Sequence, residues 1–209
     1  MDEEIKDIII ERNIEWLFHF TRAENIKSIL KDGLIPRNEI DEELAIVNDD
    51  CRYDKCKGAN CLSVEFPNYK MFWSLRCENK DVDWVVLALD AKIIEEYKCA
   101  FCYANAGSEE IYSIPLQNRM TAEAFEGIFS ERECYPSRKE LNIPDNYPTN
   151  PQAEVLVFGV IPSRFIKYVI FNDEETLEKY KSIIPLGIKA IVDEDFFYPR
   201  KDYIYWQKI

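Results

Sequence analysis

The chain has 209 residues, 47% hydrophobic and 13% aromatic, which suits one compact domain with a single main core. Its formal charge of −13 excludes a protein that grips nucleic acid through a broad basic surface, because phosphate contacts require cations; a nucleic-acid substrate would have to be held by a local patch. No apolar run approaches the roughly 18 residues of a membrane span, and the acidic start "MDEEIKDIIIERN" lacks the basic region of a signal peptide, so a cytoplasmic protein is expected.

In chain order, "EWLFHF" (15–20) is short, aromatic and bounded by polar residues, which suits a buried strand. Thr21 followed by Glu24 has capping-box spacing, Ile26, Ile29 and Leu30 then share a helical face, and Gly33 supplies a stop. "ANCLSVEF" (59–66) reads as a strand. "PNYKMFWSLRC" (67–77) reads as a helix with proline in its first turn. "DWVVLALD" (83–90) is expected to be a strand buried on both faces, followed by a turn or two of helix in "AKIIEEY" and a strand in "CAFCYANA".

Residues 105–152 are different: polar, proline-rich, with one helical stretch at "TAEAFEGIF", the profile of a functional loop. "AEVLVFGVI" (153–161) is the strongest strand pattern, with "IKYVIF" (166–171) expected beside it. A helix at "DEETLEKYKSII" and a strand at "IKAIVD" complete the series. No repeat or linker divides the chain. The element order lacks regular βαβ repetition, so the expected class is α+β in a single domain.

Seven cysteines, an odd number, argue against a disulfide framework. Cys51, Cys56, Cys61 and the pair Cys99/Cys102 allow a four-thiolate zinc site on paper, but no second C-x-x-C exists and the one histidine is remote. Buried thiols are the preferred reading.

Three residues carry candidate chemistry. Glu154 stands in an otherwise apolar run, where a carboxylate is costly unless it is paired or faces a ligand or water. It is either solvated at the sheet edge or catalytic. His19, the sole histidine, shares a strand face with Leu17 and Thr21; it is either a satisfied core residue or a ligand to something small and polar docked near the following helix. Arg52 lies in the charged stretch "NDDCRYDKCKG", and its own spacing does not single it out.

Taken together, "LFHFTRAENIKSILKDGLIPRN", "CRYDKCKGANCLSVEFPNYKMFW" and "PTNPQAEVLVFGVIP" resemble the DarT family, DNA ADP-ribosyltransferase toxins of bacterial toxin–antitoxin systems, over roughly residues 15–170. The resemblance implies an ADP-ribosyltransferase-like split β core that holds NAD⁺ and needs no metal. It implies transfer of ADP-ribose to a base, typically thymidine in single-stranded DNA, with release of nicotinamide, and a possible macrodomain antitoxin as partner. By position, it makes Arg52 and Glu154 catalytic. It places His19, Phe20, Thr21, Asn25, Ser28 and Arg52 around NAD⁺. Residues 105–152 become the substrate reader, with Tyr112, Phe125, Phe129, Tyr135 and Tyr147 for stacking and Arg119, Arg132, Arg138 and Lys139 for phosphates. RNA, a protein side chain or water remain alternative acceptors, and a non-catalytic acidic adaptor on the same scaffold is the alternative outside catalysis.

Overall fold

The computed structural model describes residues 3–40, 56, 58–133 and 135–207. Seven strands, β1 (Trp16–Arg22), β2 (Ala59–Val64), β3 (Trp84–Asp90), β4 (Cys99–Cys102), β5 (Glu154–Phe158), β6 (Ile166–Phe171) and β7 (Lys189–Val192), form one sheet in the order β4-β5-β2-β1-β3-β6-β7. Every pairing is antiparallel except β6 with β7. This is the expected α+β class.

The pairings are unequal in length. β1 runs beside β3 along its whole length, from Trp16–Asp90 to Arg22–Trp84. Beside β2 it pairs only at Leu17–Val64 and Phe18–Ser63. The sheet is therefore two blocks, β4-β5-β2 and β1-β3-β6-β7, joined by two rungs and parting beyond them. One face carries the main core, with Leu17, Leu62, Val85, Leu87, Val155 and Val157 packed under helices. The other face carries two separate clusters. One lies around Phe18, Phe72, Val86 and Phe197, and the other around Ala100, Cys102, Ile111 and Leu156. β3 feeds both faces, as its apolar run predicts.

Strand β6 corrects an expectation. It pairs with β3 and β7, while β5 pairs with β2 and β4. Consecutive strands usually neighbour each other, but here residues 159–165 carry the chain from one block to the other.

The helices are α1 (Glu3–Arg12), α2 (Ile26–Asp32), α3 (Tyr69–Glu78), α4 (Ile93–Glu96), α5 (Glu109–Tyr112), α6 (Ala122–Gly127), α7 (Arg138–Leu141) and α8 (Glu174–Tyr180). Asn68, not Pro67, starts α3: its side chain accepts from Met71 N–H. The expected capping box at Thr21 does not form. Thr21 remains in β1, and a 3-10 turn at Ala23–Asn25 leads into α2. Gly33 does stop α2, at φ +88°, where an added Cβ would stand 2.4 Å from Ile161 O. That contact belongs to a Leu34–Ile161 bridge, which pins the end of α2 to the chain leaving β5.

Residues 105–152 are more structured than a loop. They hold α5, a 3-10 turn at Leu116–Arg119, α6 and α7. Phe125 and Phe129 are fully buried in the main core, with Phe125 stacked on Phe101 at 4.4 Å. Each such ring contributes about 1.5–3 kcal/mol, so the segment is anchored. Arg12 of α1 ties it further, ion-pairing with Glu126 and lying 4.3 Å over the Phe129 ring.

Candidate active site

His19 is the first residue of β1 beyond the last rung with β2, and it is half-buried rather than a core residue. Its Nδ1 lies 3.0 Å from Cys61 O of β2. A carbonyl only accepts, so Nδ1 carries the proton in this bond. The imidazole thus spans the point where the two blocks part.

Thr21, two residues on, is buried, and its Oγ1 accepts from Asn25 Nδ2 at 3.1 Å. Ser28 Oγ donates to Asn25 O at 2.9 Å. The strand end and the start of α2 therefore form one polar cluster, two residues along β1 from His19. Phe20 alternates to the opposite face and stacks on Phe72 at 4.5 Å, so its ring belongs to an aromatic cluster, not to this group.

Glu154 opens β5 and is only 7% exposed. Its Oε2 accepts the Ala106 N–H at 2.8 Å. On β4, Cys102 sits directly opposite it, and one step beyond the Leu62–Val155 pair brings Ser63 of β2 to its other side. The acid is thus buried rather than solvated at the sheet edge. The turn before it is rigid: Asn150 accepts from Ala153 N–H and Gln152 N–H, at 3.0 and 2.9 Å.

His19 and Glu154 would lie on opposite faces of an unbroken sheet, since Glu154 continues the Phe18–Ser63 face and His19 the Leu17 face. They stand two strands apart, at least roughly 10 Å by interstrand spacing. The β1–β2 pairing ends at Phe18–Ser63: His19 lies just past it, and Glu154 stands level with its last pair. Arg52 lies outside the described residues, as does Cys51.

Among the described residues no cysteine is in a disulfide, and no three His, Cys, Asp or Glu side chains gather to hold a metal. Cys99 and Cys102, three apart on a strand, face opposite sides, so the C-x-x-C pair cannot chelate one ion. Burial pushes both thiols up to about 12; for Cys102 a hydrogen bond from Arg119 opposes the shift and nearby Glu154 adds to it.

The expected substrate-reading side chains divide sharply. Phe125 and Phe129 are sealed in the core. Arg138 donates to the carbonyls of Pro144, Asp145 and Tyr147, and Arg132 lies 3.3 Å over the Tyr103 ring. Tyr135 packs edge-on against Trp206, and Tyr147 lies beside Phe66. Tyr112 and Lys139 are exposed.

One group escaped the sequence reading. Arg200, buried, donates to Pro148 O at 2.8 Å and Thr149 O at 3.1 Å, while both oxygens of Asp202 accept from its guanidinium and Trp206 Nε1 donates to the same carboxylate. This clamp fixes the approach to Glu154. The R-x-D spacing at 200–202 was its only local signal, and its partners lie about fifty residues upstream.

A single domain built on one mixed seven-stranded sheet with flanking helices matches the DarT ADP-ribosyltransferase structures. The chain belongs to the DarT family, whose description is ssDNA thymidine ADP-ribosyltransferase and whose profile matches residues 18–198. No curated protein matches the chain. Among solved structures, the fold is similar to Thermosipho africanus DarTG in complex with ADP-ribose, at 19% identity and a TM-score of 0.61 over 88% of this chain. The chain spans 51% of that longer protein. It is similar to Thermus sp. 2.9 DarT in complex with NAD⁺, at 13% identity and a TM-score of 0.54, covering 88% of this chain and 97% of that one. The same Thermus protein in complex with ADP-ribosylated ssDNA matches at 13% identity and a TM-score of 0.59, covering 89% of this chain and 97% of that one.

Proposed function

We propose that this protein transfers ADP-ribose from NAD⁺ to a base of single-stranded DNA, thymidine by family, and releases nicotinamide. The observation that carries the reading is the buried Glu154 carboxylate, held by Ala106 N–H beside the parting of β1 and β2, in a chain that matches the DarT profile over most of its length.

Cleavage of the nicotinamide–ribose bond passes through an oxocarbenium-like sugar, so positive charge develops at the ribose carbon. Glu154, aimed from the rigid end of β5, accepts a ribose hydroxyl and stabilises that charge without reorganising. His19 accepts a ribose hydroxyl at Nε2, its orientation set by the Nδ1–H bond to Cys61 O. Thr21, Asn25 and Ser28 border the same ligand from the α2 side. Arg52 binds the pyrophosphate, for which a planar guanidinium is suited, and its positive charge favours ionisation of the attacking base. Arginine's pKa above about 12 makes it a poor proton acceptor itself.

Residues 105–152 form the acceptor-side wall, with Tyr112 and Lys139 at its surface. An acidic protein tolerates a DNA base held by stacking and hydrogen bonds, whereas it disfavours tight, sequence-independent binding. No helix among the described residues is long and apolar enough to cross a membrane. A macrodomain antitoxin is the partner the family implies.

Mass spectrometry of short oligonucleotides after incubation with NAD⁺ tests the reading. The expected result is a single ADP-ribose adduct on thymidine-containing single strands, lost in Glu154→Gln with the melting temperature preserved. Full labelling by Glu154→Gln would refute it. Adducts confined to RNA or protein, or NAD⁺ hydrolysis alone, would reassign the acceptor.

A further inference from the structure

Three carboxylate side chains are buried among the described residues: Glu65, Glu154 and Asp202. Glu65 accepts the N–H groups of Glu15 and Trp16, and Asp202 is paired with Arg200. Two arginines are buried to the same degree, Arg200 and Arg119. Arg200 has its carboxylate. Arg119, 5% exposed, has none: its Nη1 donates to Cys102 Sγ at 3.5 Å, and its Nε has no partner. A thiol is a weak acceptor, and a permanently charged guanidinium buried on a thiol is costly unless an anion stands near.

The register supplies that anion. Cys102 and Glu154 are directly opposed on β4 and β5, with side chains on one face. Directly opposed residues have Cβ atoms about 4.5–5.5 Å apart. Arg119, Cys102 and Glu154 thus form a row, cation, sulfur, anion. We propose that Arg119 is a positioning residue of the transferase, supplying across the Cys102 sulfur the counter-charge that holds Glu154 as an aimed carboxylate. This rests on the transferase reading for its function, though not for its geometry.

Arg119 is too enclosed to be a substrate ligand, which separates it from the catalytic group. The intervening sulfur has a use of its own. A head-to-head ion pair would occupy carboxylate lone pairs needed by the ribose; a cation one thiol away supplies charge without taking one.

The test uses Arg119→Met and Arg119→Lys in steady-state assays with NAD⁺ and a thymidine oligonucleotide, together with thermal melts of Arg119→Met in wild-type and Glu154→Gln backgrounds. Arg119→Met is expected to lower kcat roughly 10- to 100-fold, the scale of losing one electrostatic group at a reacting centre. KM for NAD⁺ should stay within about threefold, because ground-state binding is untouched. Arg119→Lys should recover most of kcat. The melting temperature should fall on Arg119→Met in the wild-type background and hold in Glu154→Gln, where both charges have gone. If Arg119→Met alone does not fold, a folded double variant already supports the coupling.

Equal losses of stability in both backgrounds would overturn the proposal. So would wild-type kcat in Arg119→Met, or a lysine variant as slow as the methionine one. A wild-type protein that consumes no NAD⁺ would instead sink the transferase reading, and the melts would still judge the Arg119–Glu154 coupling.

Discussion

Replacing Asp202 by alanine isolates the clamp that fixes the approach to Glu154. Asp202 is essentially inaccessible, and three donors converge on it: Arg200 Nε at 2.7 Å, Arg200 Nη2 at 2.5 Å and Trp206 Nε1 at 2.8 Å. Truncation leaves a buried guanidinium without its anion and an indole N–H without its acceptor. Breaking a buried pair in this way costs about 3–5 kcal/mol. Unfolding entropy near 2.1 cal/mol/K per residue gives about 0.44 kcal/mol/K for a chain of this length, so the melting temperature should fall by about 7–11 °C. Scanning calorimetry on Asp202→Ala, Asp202→Asn and the double variant Arg200→Met/Asp202→Leu checks this. The double variant should recover a large part of the loss, because no charge is then stranded. A fall of less than about 2 °C in Asp202→Ala, or a double variant worse than the single, would refute the reasoning.

Gly33→Ala should destabilise the protein by about 2 kcal/mol or more, because its φ of +88° disfavours a side chain and the new Cβ would press on Ile161 O; chemical denaturation measures the change. Asn60→Leu should cost about 1–3 kcal/mol in the same assay, since Asn60 Nδ2 donates to both Leu34 O and Gly159 O; Leu34 O keeps the Ile161 N–H, but Gly159 O loses its side-chain donor. Burial raises the Glu65 carboxyl above its usual value of 4.5, so the folded state binds its proton more tightly than the unfolded state does. Its stabilising contribution is therefore full below that value and is lost as pH rises from it toward the raised one. Glu65→Gln keeps an acceptor for the Glu15 and Trp16 N–H groups, so melts from pH 4 to 7 should show a smaller decline with pH than wild type; an identical decline would assign it to other groups.

The strands were legible because burial leaves a local mark. The run at 84–90 is apolar at every position but its last, and both of its faces are covered. Glu154 stood out for the same reason, a single acid in an otherwise apolar stretch. Helix α1 had a readable signal, Ile5, Ile8 and Ile9 at helical spacing, in a segment read only for its charge. The segment between β4 and β5 concealed itself better. Its helices are four to six residues long, too short to show a full hydrophobic period. Its prolines suggested a loop, while Phe125 and Phe129, four apart, were the trace of a buried face. Neither the β6 pairing nor the Arg200 clamp could be read, since each depends on which distant segments meet. The family resemblance placed His19 and Glu154 in one pocket. The two-rung β1–β2 junction that stands between them is a property of register alone.

That junction also bears on solubility. An unzippered strand border is usually a hazard, since it invites strands from other molecules and seeds aggregation. Here the border lies inside the sheet, since β1 is flanked by β3 and β2 by β5, and the His19 imidazole reaches a β2 carbonyl across it. The edges that another chain could meet are β4 and β7 instead.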